Sequence, residues 1–571
     1  MRHSSTRFTA LPLRSLVHGT FLGPCPPAQM DGLFEAVPTL AYGALGANHL
    51  WRHIRTALGL RPHDAQTEAG ALRTRLAVEL AVWMHGEYPL DSRPLSLLAD
   101  IIAPGDALAE LPLAAWREMA TPPPQEEHGA SPHFDGPHGL FHLAAALEHA
   151  YARHDTDSAA RYIAQLPADL PGRDALHARL HAEWAVVSLP ASEALSVLEH
   201  MPANIFPLWR ACALANVLRQ IGATAQATEI YTDLWRQTLL HPNLILTLHD
   251  LAFPTKDTAL PTGKDAPAIV LYSWNKTNEL RVTLESLHQS RTHGAPIFVL
   301  DNGSTDGTAA MLATLAAQWG EDAFQHISLP VNVGAPAARN WLLSLPEVAA
   351  RDWVAFLDDD IILPADWLHP LWQATRQYPE AGAIGCAITD HTAPYTTQCA
   401  EFHLLPPDMG QRSFADMDEH VFVYANSAGL REHTLHGLTR YARPCLHVSG
   451  CCHLISTRSV RECGPFDLRF TPSQFDDLER DMRIGLAGFS TIYTGHTTIR
   501  HMQHSSLRQA STPARTGHIF GNKIKLEHIH SARQTTTLRS MVDRQVRDDL
   551  HRKAARLRSL LTHNPGFAPH A

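Results

Sequence analysis

Three consecutive carboxylates, Asp358, Asp359 and Asp360, end the apolar run Trp353-Val354-Ala355-Phe356-Leu357 and are followed by Ile361, Ile362 and Pro364. A buried strand cannot carry three unpaired charges within the core, because desolvating each costs several kcal/mol. The acids therefore belong at the carboxyl end of a strand. In open α/β sheets ligands sit at that end, and adjacent carboxylates there suit a hard divalent cation shared with substrate phosphates. An acidic turn with no ligand is the alternative, and the flanking apolar runs argue against it.

Such a cluster needs a sheet to hold it, and the sequence from about Pro267 supplies one. Ala268 to Trp274 reads as a buried strand, and Leu280, Leu284 and Leu287 mark one face of a following helix. Pro296 to Asp301 gives a second strand, with a helix through Met311, Leu312 and Leu315. Phe324 to Leu329 is a third strand, Ala335 to Leu345 a third helix, and Trp353 to Leu357 the fourth strand. Strands alternating with helices predict a mainly parallel α/β sheet covered on both faces. Asp301, the turn Asn332 to Gly334 and the triple Asp then fall along one rim.

The motifs LYSWNKTNELRVTLESL, VLDNGSTDGT, NVGAPAARN and FLDDDIILPADWL, in that order, resemble the nucleotide-sugar-binding half of family 2 glycosyltransferases with the GT-A fold. VSGCCHLISTRSVRECGPFDLRFTPSQFDDLERDMRIGLAGF and IRHMQHSS resemble the acceptor half of that family. Motifs agreeing in order are more specific than any one alone. The resemblance implies a nucleoside-diphosphate sugar donor and a divalent metal, Mn2+ or Mg2+, with Asp360 and the late histidine His501 as ligands. It implies donor contacts from Asp301, Asp358 and Asp359, with Asp358 and Asp359 serving ribose or metal. Arg339 faces phosphate on this reading, or is a helix-surface arginine. The family's acidic pair falls on Asp476 and Asp477, with Asp477 as general base, although Glu479 and Asp481 follow closely. His496 and His504 lie near His501. Cys451 and Cys452, in an apolar strand-like run, read as core packing.

Composition bounds the rest. A chain of 571 residues exceeds one core. With 45% apolar and 18% charged residues it is a soluble globular type. A net charge of −10 gives no basic field for nucleic acid, although 37 histidines soften that below neutral pH. Eight cysteines without a CxxC pair suit reduced thiols and a cytoplasmic location. No apolar run reaches the about 20 residues of a membrane-spanning helix, so any membrane association would be peripheral, at an inner face.

The expected organisation is an N-terminal segment (1–30), a helical region (31–120) broken at Pro94, Pro104 and Pro112, and an exposed connection over Thr121 to Gly139. An all-α repeat region (140–251), the transferase domain (267–507) and a C-terminal helical tail (508–571) follow. Ala159, Ile163, Leu166 and Pro167 recur as Ala194, Leu198, Met201 and Pro202, then as Ala227, Tyr231 and Leu234. The last unit resembles a tetratricopeptide repeat through Trp209, Gly222, Ala227, Tyr231 and Pro242, which implies a surface for a protein partner or a brace for its neighbour. In the tail, Leu538, Val542, Val546, Leu550, Leu557 and Leu561 share a helix face, for packing against its own domain or, being basic, against an anionic membrane. Thr389 to His447 shows no clear periodicity and reads as acceptor-selecting loops.

The reading is a metal-assisted, inverting transferase that moves a hexosyl or related sugar to an acceptor hydroxyl on a glycan, a lipid-linked intermediate or a protein, in glycan or cell-surface polysaccharide synthesis. The alternative is an inactive nucleotide-binding scaffold whose repeats hold partners.

Overall fold

Alternation decides the layering of the second half of the chain. In the computed structural model, Ile269 and Leu271 of strand β1 (Ala268–Ser273) enter one core with Leu280, Leu284 and Leu287, while Ala268 and Val270 enter another with Ala338 and Leu342. Successive side chains of a strand point to opposite faces, so a strand buried on both sides must be apolar throughout. The structure describes residues 25–59, 67–101, 111–123, 134–256, 258–320, 323–406, 423–431, 437–502 and 513–563.

β2 (Ile297–Asp301), β3 (Phe324–Ser328) and β4 (Trp353–Leu357) run parallel to β1 in the order β3-β2-β1-β4. Beyond β4 lie β5 (Ile361–Ile362), β6 (Ala381–Asp390), β7 (Thr396–Leu404), β8 (Val423–Arg431), β9 (Ala442–Cys445), β10 (His447–Val448), β11 (Cys452–Ser456) and β12 (Ser490–His501). β11 inserts antiparallel between β4 and β6, and β12 runs parallel to β6. Register places Ser273 beside Asp301, and Leu357 beside Cys452. The carboxyl ends of β1, β2 and β4 and the start of β11 therefore meet on one rim.

The segment Thr389 to His447 departs from the loop expectation, since β7, β8 and β9 lie within it. Its polar residues hid the strands because several are buried: Tyr441 Oη donates to Glu401 at 2.8 Å, and Arg443 Nε lies 3.5 Å from the same carboxylate. In the tail, the helix Ala532–His563 buries Leu538, Val542, Val546, Leu550 and Leu557, the packed rather than membrane-facing outcome.

The chain divides into two compact units, Met1–Ala252 with Glu432–Gly437 and Ala554–Ala571, and Phe253–Arg431 with Leu438–Lys553. The described part of the first is helical, and its helices Pro207–Gln220 and Thr224–Gln237 bury Trp209, Ala227 and Tyr231. Arg179 is buried there against Glu183 at 2.7 Å, with its guanidinium 3.5 Å from the Trp209 ring centre. Pro94 does not break a helix: it lies in the first turn of Ser92–Ile101, where a missing N–H costs nothing. Pro104, most of the N-terminal segment and residues 124–133 lie outside the described residues. No helix among the described residues is long and apolar enough to cross a membrane.

Candidate active site

The triple Asp stands where β4 ends, and its three side chains have different partners. Asp359 accepts from Ser273 Oγ at 2.6 Å and from Lys276 Nζ at 2.8 Å. The same ammonium donates to Asp360 at 2.9 Å. Asp360 also meets His501 Nε2 at 3.0 Å. Asp358 is the most open of the three, with 27% of its side chain exposed and Arg339 Nη2 3.8 Å away.

Backbone pairing explains these meetings. The Asp358 N–H donates to the Cys451 carbonyl at 2.9 Å, which extends the β4–β11 ladder by one step. His501 pairs with Ile361 between β12 and β5, and the Met502 N–H donates to the Asp360 carbonyl at 2.8 Å. His501 is further oriented by Gln398, whose Oε1 lies 2.8 Å from Nδ1.

Charges in the cluster follow their surroundings. Burial pushes the Asp359 carboxyl up to about 6 even against the pull of Lys276. Burial also raises Asp358, with Arg339 in opposition. Asp360 goes the other way: burial opposes its charge, but the hydrogen bond from His501 and the nearby Lys276 hold it below the usual carboxylate range. Burial disfavours a charged His501, yet Cys451 and Asp360 bring it up to about 11.

The acceptor-side acids sit at the start of the helix Asp476–Leu486, where the helix dipole favours negative charge. Asp476 is buried and takes a close ion pair from Arg339 Nη1. Burial raises Asp476 against that pull, whereas Arg339 is held firmly charged by the acids around it. Arg339 is thus no helix-surface arginine. It is buried between Asp476 and Asp358, its guanidinium centre 5.4 Å from the Tyr272 ring and 5.2 Å from that of Phe466. Its Nε has no hydrogen-bond partner among the described residues.

Asp477 is held differently. One oxygen accepts the Gly450 N–H at 3.1 Å and the other the Leu478 N–H at 2.8 Å, and 26% of the side chain stays exposed. A Cβ on Gly450 would lie 2.7 Å from Asp477 Oδ2, so only glycine allows this approach. Burial works to raise Asp477, but His447 and Arg339 outweigh it and hold the carboxyl below its ordinary range. His447 is itself raised: burial opposes its charge, and the hydrogen bond to Asp481 at 2.8 Å overcomes that.

Asp301 is buried at the end of β2, where its carboxylate accepts the Ser304 N–H at 2.9 Å and closes the turn. Asn302 ties that turn to the next loop, with Nδ2 3.0 Å from Asn332 Oδ1 and Oδ1 accepting the Val333 N–H at 3.0 Å. Gly303 has a positive φ, and a Cβ there would lie 2.3 Å from the Val331 carbonyl carbon.

The expected residues therefore converge on one rim, where Asp301 stands beside Ser273 and also closes its own turn. Sequence reasoning missed Lys276, Ser273, Gln398, His447 and Cys451. Only Lys276 had a usable signal, a cation in the turn after a strand that ends on the same rim. It also missed Asn522, whose Nδ2 donates to the carbonyls of Phe470 at 2.9 Å, Ser473 at 2.7 Å and Gln474 at 3.3 Å. Gln474 and Phe475 both have positive φ directly before Asp476, so this amide secures a strained approach to the acidic pair. Cys452 is buried as expected, whereas Cys451 is part-exposed and turns to the site. Oxygen, sulfur and nitrogen donors of Asp358, Cys451 and His501 lie within 4.8 Å of one another, so the donor set fits a divalent cation.

Residues 268–435 match the glycosyl transferase family 2 model. Over 260 residues the chain is 23% identical to an N-acetylglucosaminyl-diphospho-decaprenol L-rhamnosyltransferase of Mycobacterium tuberculosis, covering 43% of this chain and 80% of that protein. Among solved structures, GalNAc-T7 with UDP, GalNAc and Mn2+ aligns with a TM-score of 0.34 at 14% identity, covering 46% of this chain and 48% of that one. The chain thus spans about half the length of that structure. The mannosyltransferase PcManGT from Pyrobaculum calidifontis, in complex with GDP-Man and Mn2+, aligns with a TM-score of 0.33 at 13% identity, covering 62% and 86%. The α/β unit thus carries a match to the family 2 glycosyltransferase model over residues 268–435, and the protein is a glycosyltransferase.

Proposed function

We propose that this enzyme moves a sugar from a nucleoside-diphosphate sugar to an acceptor hydroxyl with inversion at the anomeric carbon. The observation that carries the reading is the position of Arg339, in ion contact with Asp476 of the acceptor-side pair and 3.8 Å from Asp358 of the donor-side cluster. One buried guanidinium thus joins the two acidic groups the reaction needs.

Asp301 shapes the turn against which the nucleotide rests, and Asp358 and Asp359 serve its ribose or the cation. Asp358, Asp360 and His501 are the residues to hold a divalent metal, Mn2+ or Mg2+. When bound, that cation supplies charge neutralisation for the departing diphosphate. Asp477 is ionised at neutral pH and part-exposed, so it can take the proton of the acceptor hydroxyl as the hydroxyl attacks. One base and one leaving group on opposite faces of the sugar give inversion. The acceptor class is a glycan, a lipid-linked intermediate or a protein, in glycan or cell-surface polysaccharide synthesis. The relative's printed activity on a diphospho-decaprenol-linked sugar supports the lipid-linked member of that group. We assign residues 267–507 as the transferase domain, 508–571 as a C-terminal helical tail and the repeats at 140–251 as a surface for a protein partner or a brace for the neighbouring domain.

The test is sugar transfer from a panel of nucleotide sugars, with the product anomer read by NMR. Asp477→Asn should lower the transfer rate by about 10²–10⁴-fold. Transfer at the wild-type rate would remove Asp477 from the role of base, and a retained anomer would remove inversion.

A further inference from the structure

Cys451 has no part in the reaction as written above, yet it faces the reacting groups. Its Sγ lies 3.9 Å from His501 Nδ1, and its carbonyl receives the Asp358 N–H. Register fixes this arrangement, because β11 runs antiparallel to β4 and the residue just before Cys452 must stand beside the residue just after Leu357. Cys451 stands in the turn just before β11 and packs against the same core as Cys452, but it stays part-exposed and its thiol reaches His501. The donors come from three separate elements, the ends of β4 and β12 and the entry to β11, and all lie within 4.8 Å of one another.

A site built of carboxylates and carbonyls suits magnesium, which demands oxygen ligands. Adding sulfur and an imidazole nitrogen changes the order of preference toward softer ions. We propose that Cys451 is a thiolate ligand of the site's cation, and that it makes this site take cobalt, zinc or cadmium in preference to magnesium. The inference rests on the metal-assisted reading given above. On binding, the thiol proton leaves to solvent as the sulfur–metal bond forms, and no oxidant or reductant is involved.

The experiment titrates Co2+ into the full-length wild type, Cys451→Ser and Cys451→Ala, with circular dichroism to verify that each variant is folded. The wild type should develop a sulfur-to-cobalt charge-transfer band in the near ultraviolet, and both variants should lose it. Calorimetry should show Cd2+ affinity falling by about tenfold or more in Cys451→Ser, with Mg2+ affinity unchanged. Cys463 is the other part-exposed cysteine and serves as an internal control. Cd2+ should shield Cys451, but not Cys463, from iodoacetamide, as read by peptide mass spectrometry. Cobalt binding without the band, or a band that survives in both variants, would overturn the thiolate assignment and leave the metal-assisted reading standing. If Mn2+, Co2+ and Mg2+ all fail to bind the wild type, the metal-assisted reading and this inference fall together.

Discussion

The two acidic groups of the site hold their charges by different means. Asp359 and Asp360 on the donor side share one ammonium, that of Lys276, whose side chain is 21% exposed. On the acceptor side, Asp476 is tied to a buried guanidinium and Asp477 to backbone N–H groups. An ammonium on a flexible stem can be exchanged for another cation, whereas a planar, buried guanidinium and main-chain amides cannot readily be displaced. On the proposed reading, the donor side accepts a cation with its substrate and the acceptor side keeps a base in place.

The strongest way to break that contrast is to remove the fixed cation. Arg339→Met should destabilise the fold by about 3–5 kcal/mol in chemical denaturation, because it leaves Asp476 buried without its partner. A loss no larger than that of a surface substitution would mean the pair is not an anchor. Removing the exchangeable cation should do the reverse. In Lys276→Met, calorimetric Mn2+ affinity should rise by roughly tenfold, the scale of one screened charge interaction, since the metal no longer competes with the ammonium. Unchanged or weaker binding would make Lys276 a structural part of the site.

A smaller effect sharpens the acceptor side alone. Asn522→Ala should lower kcat several-fold and cost about 1–2 kcal/mol of stability, because one amide serves three carbonyls of the turn before Asp476. Donor affinity should not change, and a drop in it would show that the turn also shapes the donor site. The smallest effect is in pH. Asp477 is held below its ordinary range, so kcat at saturating donor should stay level through mildly acid pH and fall only below the ordinary carboxylate range. By the same linkage, the depressed carboxyl contributes stability above the ordinary range, which is lost as pH falls through the folded value. An acid limb centred near about 6.5 would point to a histidine as the base.

The sequence made the donor half readable because its physics is local. Apolar strands such as Trp353–Leu357 stop where charge begins, and the register of a parallel sheet then aligns Asp301 with the triple Asp. Asp477 was legible only through family resemblance, because acids on a helix look alike until their neighbours are known. Arg339 was half legible: its place in a turn-to-helix segment was visible, but its burial between two acids comes from residues far apart in the chain. Cys451 and Asn522 could not be read, since the first depends on β11 pairing with β4 in the register that sets Cys452 beside Leu357 and the second on a tail that returns to the acidic pair. The strands β7 to β9 were missed because Glu401, His403 and Arg443, which read as surface residues, are buried.

The measurement that tests the central contrast most directly is calorimetric binding of a panel of nucleoside diphosphates, with and without Mn2+, to wild type, Asp360→Ala and Asp477→Asn. The account predicts one nucleotide whose metal-dependent binding is lost in Asp360→Ala and kept in Asp477→Asn. Binding lost equally in both variants, or unaffected in both, would contradict the division into a donor side that exchanges its cation and an acceptor side that holds its base.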